Sequence, residues 1–217
     1  MSKKVFGFKV GLVVKYFILA DLALLAGWGL IQPVFAVFIL DRIDGATVLT
    51  LGIAAAIYWG VKSVIQIPIA LFLDRTPGEK DDFIFVICGL TLAGLTALSF
   101  IFIDKIWQFY LVEFIHSLAF AFYIPAWNGM FARHLDKDHQ SLDFSLDSTL
   151  VGVASAITGL LSGFFVTWFG YNTIFVFGAL FSFVSASIIF LMPQIVFPHR
   201  RHKGAIFRNH SPKAINR

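Results

Sequence analysis

The stretch TVLTLGIAAAIYWGVKSVIQIPIALFL, residues 47–73, decides the fold. It holds one charged residue, Lys62, and is longer than the roughly 20 residues a helix needs to cross about 30 Å of hydrocarbon. Lipid offers no partners for backbone N–H and C=O groups, so such a segment must be a helix. Runs of the same kind extend over residues 16–40, 83–103, 107–131, 148–168 and 173–192. Six transmembrane helices are therefore predicted, an all-α membrane protein. The run at 16–40 is too long for the apolar core of a signal peptide and has no small-x-small cleavage site after it, so it is expected to stay in the membrane.

Composition agrees. Charged residues make up 14% of the 217-residue chain and hydrophobic ones 58%, whereas a soluble domain carries about 25% charged residues to wet its surface. Cys88 stands alone, which excludes an intramolecular disulfide. His134, Asp136, Asp138 and His139 in one loop, and His199 and His202 in the tail, read as solvated polar segments rather than a spaced ligand set, so no metal or cofactor is expected.

The net charge of +4 is an orientation signal, not a nucleic-acid footprint. Fourteen Lys and Arg residues fall at the chain ends and in the 2–3 and 4–5 connections, against Arg42 and Lys105 on the other side. That asymmetry predicts a multi-pass protein of the cell (plasma or inner) membrane with both termini cytoplasmic. Three regions are expected: a basic interfacial lead-in, 1–15; the six-helix bundle, 16–192; and a basic tail, 193–217, attracted to anionic headgroups.

Polar residues inside the spans persist only beside protein or water. Lys62 sits mid-way along helix 2, with Tyr58 and Gln66 four residues to either side on one face. Glu113 and His116 share a face of helix 4, an acid to pair with Lys62 and an imidazole to relay protons. Gln32 lies beside Pro33, where a kink frees a carbonyl. These six residues form the expected solute and proton pathway. Asp21 reads as interfacial, and Tyr123, Trp127 and Asn128 as wall or core of helix 4. Gly159 and Gly163 make a small-residue strip for helix packing. Pro33 and Pro125 fall at similar depth in helices 1 and 4, a faint sign of a 3+3 inverted repeat.

The stretch Ala70-Leu71-Phe72-Leu73-Asp74-Arg75-Thr76-Pro77-Gly78-Glu79-Lys80 resembles the loop signature G-x-x-x-D-R-x-G-x-R/K-R/K of the major facilitator superfamily. Gly159-Leu160-Leu161-Ser162-Gly163 followed by Phe169-Gly170-Tyr171-Asn172-Thr173-Ile174-Phe175 is similar to that family's glycine-rich fifth helix and G-W-R-x-x-F turn. The resemblance implies a secondary transporter working by alternating access. It implies that Asp74, Arg75, Gly78 and Lys80 form a cytoplasmic latch, that helices 1 and 4 line the cavity, and that helices 2 and 5 meet the opposite half. Ala70 replaces the first glycine, Gly78 is displaced by one position, and Tyr171-Asn172 stands for Trp-Arg. Such transporters have twelve helices in two parallel repeats, so two copies of a six-helix chain, a homodimer, rebuild the whole; another six-helix half is the alternative partner.

The expected function is thus proton-coupled transport of a small solute by a dimer of halves. The competing reading is a non-transporting membrane scaffold or assembly factor on the same bundle. Glu113 and His116 lack a nucleophile or metal to make an enzyme site.

Overall fold

Long uninterrupted apolar runs become helices of matching length. The computed structural model describes residues 4–5, 8–9, 11–135 and 139–192, the first two pairs as backbone only. Its helices are α1 Leu12–Arg42, α2 Val48–Arg75, α3 Lys80–Ser99, α4 Ile106–His134, α5 Gln140–Phe169 and α6 Tyr171–Phe190. A single 3-10 turn, Phe100–Phe102, prolongs α3. All six are long and apolar enough to cross a membrane. Lys4–Val5 and Phe8–Lys9 pair as a short antiparallel ladder ahead of the bundle. Much of the expected lead-in, loop residues 136–138 and the tail 193–217 lie outside the described residues.

Helix ends differ from the apolar runs because hydropathy marks lipid depth, whereas backbone hydrogen bonding continues past it. Asp74 and Arg75 close the last turn of α2 instead of opening a loop. The expected 4–5 connection up to Asp147 is corrected most, since α5 begins at Gln140. Asp143 and Asp147 accordingly lie on a helix and are buried.

Two helix triads make the bundle. α1 packs on α5 and α6, α4 packs on α2 and α3, and the triads join where α3 meets α6. Backbones approach most closely at glycines. A Cβ built on Gly27 of α1 falls 2.8 Å from Phe181 Cβ and 3.1 Å from the Gly178 carbonyl oxygen of α6. A Cβ built on Gly89 of α3 falls 2.7 Å from the Ala119 oxygen of α4. Gly27 and Ala119 each precede a helix-internal proline, Pro33 or Pro125, by six residues.

The two glycines of the expected Gly159–Gly163 strip differ in their surroundings. Gly159 faces Pro33, with 3.6 Å to Cγ from a built Cβ, but nothing lies within 4 Å of one on Gly163. The tight α1–α5 contact is instead Gly29 against Ser155 and Thr158.

Both ends of the bundle are tied. At the end holding the 1–2, 3–4 and 5–6 turns, Arg42 pairs with Asp104 at 2.9 Å and Arg42 Nε donates to the Ile103 carbonyl. Thr47 and Thr50 cap α2 reciprocally. Gly170, at φ +79°, takes the left-handed conformation that lets α5 turn into α6 within one residue. At the other end, holding the 2–3 and 4–5 connections, Arg133 bridges Asp82 at 2.5 Å and Glu79 at 3.7 Å.

Candidate functional site

α1, α2 and α4 enclose the polar exceptions of the span. Lys62 lies about 20 Å from either end of α2 at 1.5 Å per residue, and it is 8% exposed. Its Nζ stands 4.0 Å from the Trp59 ring centroid and 5.2 Å from that of Tyr58. Ring faces are electron-rich, so they attract an ammonium. The Lys62–Glu113 pair expected from sequence is not formed. Glu113 turns to its own helix, its Oε2 lying 3.3 Å from His116 Nδ1. A carboxylate oxygen accepts, so Nδ1 donates and Nε2 is left open; Nε2 is buried without a hydrogen-bond partner.

Tyr58, Trp59 and His116 wall two adjoining cavities. One of about 320 Å³ adds Trp28, Gln32 and Phe120; one of about 250 Å³ adds Phe109 and Glu113. His116 stacks on Trp28 with centroids 4.2 Å apart and planes 7° from parallel. Trp28 Nε1 is buried with no acceptor. Gln32 is exposed along this wall, and Gln66, one turn beyond Lys62, is half-buried and lines neither cavity. Of the six expected pathway residues, Tyr58, Gln32, Glu113 and His116 line the cavities, while Lys62 packs on their ring walls.

Sequence reasoning missed Trp59 and Trp28 as site residues. Trp59 precedes Lys62 by three positions, so helical spacing already placed it on the same face. Asp21 is packed among the helices at 9% exposure, and Tyr123 Oη donates to its Oδ1 at 2.7 Å, tying α1 to α4. Asp147 of α5 is 8% exposed, and its Oδ1 is buried with no hydrogen-bond partner.

Asp74, Arg75, Gly78 and Lys80 are all exposed at the end holding the 2–3 and 4–5 connections. Ion pairing there runs through Glu79 and Asp82 to Arg133, with His134 Nε2 3.6 Å from Glu79.

Comparison with known proteins follows the same outline. The family model of the Major Facilitator Superfamily matches residues 17–215. An uncharacterised MFS-type transporter of Methanocaldococcus jannaschii is 23% identical over 178 residues, covering 82% of this chain and 45% of that protein. An uncharacterised MFS-type transporter of Bacillus subtilis is 25% identical over 104 residues, covering 48% of this chain and 25% of that one. The chain spans less than half the length of these relatives. A match over nearly the whole bundle, on six membrane-spanning helices, places this chain in the major facilitator superfamily.

Proposed function

We propose that the chain is one half of a secondary active, non-enzymatic transporter that moves a small solute by alternating access, coupled to protons, and assembles as a dimer of six-helix halves. The observation that carries this reading is the cavity pair at mid-membrane, walled by four of the expected pathway residues with Lys62 against it. A charge or an open N–H at that depth is costly unless it borders a polar space enclosed by protein. Glu113 and His116, one hydrogen bond apart on α4, supply a carboxylate and an imidazole through which a proton can pass.

The packing pattern supports an inverted repeat of three helices plus three. Exchanging α1 with α4, α2 with α5 and α3 with α6 maps α1–α5 onto α4–α2 and α1–α6 onto α4–α3, and returns α3–α6 to itself. The prolines and close-packed positions keep the same six-residue offset under that exchange.

Two helices are left waiting for a partner. The buried residues of α5 are only Asp143, Asp147 and Ser162. Ser148, Gly152 and Ala156 of α5 form an exposed strip at four-residue spacing; Gly52, Ala56 and Gly60 of α2 form another. Cβ atoms built on Gly52, Gly60 and Gly152 meet nothing within 4 Å. Small strips let helices approach closely in lipid. A two-fold axis along the membrane normal sets α2 of one copy on α5 of the next, with both copies inserted in the same sense and their termini cytoplasmic.

The test is uptake by proteoliposomes of the purified protein under an imposed proton gradient. Solute accumulation that collapses with the gradient is expected; no flux of any solute under any gradient contradicts the reading.

A further inference from the structure

The carrier reading leaves the chemistry of the cargo open, and the cavity walls narrow it. Deepening that reading, and resting on it, we propose that the larger cavity takes a small planar organic anion, an aromatic or heteroaromatic carboxylate. At about 320 Å³ it has room for one ring and its substituent. Tyr58, Trp59 and Phe120 offer ring faces and edges to a flat apolar body.

Two donors without partners beside the larger cavity, one on the lining residue Trp28 and one packed on its Tyr58 and Trp59 rings, favour a negative charge. Trp28 Nε1 can only donate, and it is buried with no acceptor in a residue 7% exposed. Lys62 likewise offers only donors, and it rests on ring faces with no acid paired to it among the described residues. A buried donor without a partner costs about 1–3 kcal/mol, a deficit that an incoming carboxylate removes. The Gln32 amide on the same wall adds a further donor.

An organic cation fits the same walls poorly. Tyr58 and Trp59, two of the rings on that wall, already hold the Lys62 ammonium, and a second positive charge beside it is repelled. The carboxylate in the neighbouring cavity, Glu113, is engaged with His116. Lys62, packed on two rings of the larger cavity, has no hydrogen-bond or ion-pair partner among the described residues.

Radiolabelled benzoate binding to the detergent-purified full chain, read by scintillation proximity, tests this directly. Saturable binding is expected that benzylamine does not displace. Lys62→Met removes the charge at similar length and should weaken benzoate by about tenfold or more, while Lys62→Arg stays within about threefold. Trp28→Phe keeps a ring, deletes the N–H and should weaken binding by about threefold or more. Melting curves of each variant confirm the fold. Absent benzoate saturation, displacement by benzylamine as effective as by benzoate, or unchanged affinity in both Lys62→Met and Trp28→Phe overturns the proposal. Binding is read without flux. Flux of another solute with no benzoate binding removes this inference alone, and benzoate binding with no flux of any solute removes the carrier reading and leaves the anion site standing.

Discussion

Lys62 is held by aromatic faces where an acid was expected, and that difference predicts how variants behave. Trp59→Ala should strip the 4.0 Å ring contact and reduce transport while leaving the helix intact. Glu113→Gln should slow proton-driven uptake and spare solute exchange without a gradient, which counterflow measurements separate. At the other polar contact, Tyr123→Phe and Asp21→Asn should each lower thermal stability. A double-mutant cycle in detergent should give a coupling of about 0.5–2 kcal/mol for the 2.7 Å bond. The sequence revealed Lys62, Glu113 and His116 because charge inside an apolar run is conspicuous. It concealed their partners. Asp21 and Tyr123 are 102 positions apart, and only the crossing of α1 with α4 brings them together. Trp59 was hidden by abundance, since aromatic residues are 17% of the chain.

Helix number was legible because bilayer thickness imposes a length, and polar connections interrupt it where the chain must turn. The start of α5 was not, because Gln140 to Asp147 is too polar for an apolar run yet still satisfies its backbone as helix. Small residues in sequence likewise did not say which of them meet a neighbour. Gly27, Gly29 and Gly89 sit where a Cβ collides with an adjacent helix; Gly163 does not. Gly27→Leu and Gly89→Leu should therefore lower the melting temperature sharply, with overpacking costs of about 1–3 kcal/mol or more. Gly163→Leu should be nearly neutral for the isolated bundle. Equal destabilisation at positions 27, 89 and 163 would contradict this account of the crossings.

The whole molecule is a bundle with two underused sides, and the outward strips on α2 and α5 are where the proposed second half would dock. Native mass spectrometry in detergent should give a complex of twice 24.2 kDa. Gly60→Trp or Gly152→Trp should shift it to a single chain without loss of helix content, since neither site has a neighbour within its own bundle. Everything rests on the mid-depth lysine bordering a wet space closed by two bundles. The measurement that reaches this most directly is thiol labelling of the protein in liposomes, in a Cys88→Ser background because Cys88 is exposed. Lys62→Cys should react with a water-soluble, membrane-impermeant maleimide far faster than Leu180→Cys on the outward side of α6. Position 62 labelling no faster than position 180 would mean that no aqueous path reaches the lysine, and the transporter account would fall.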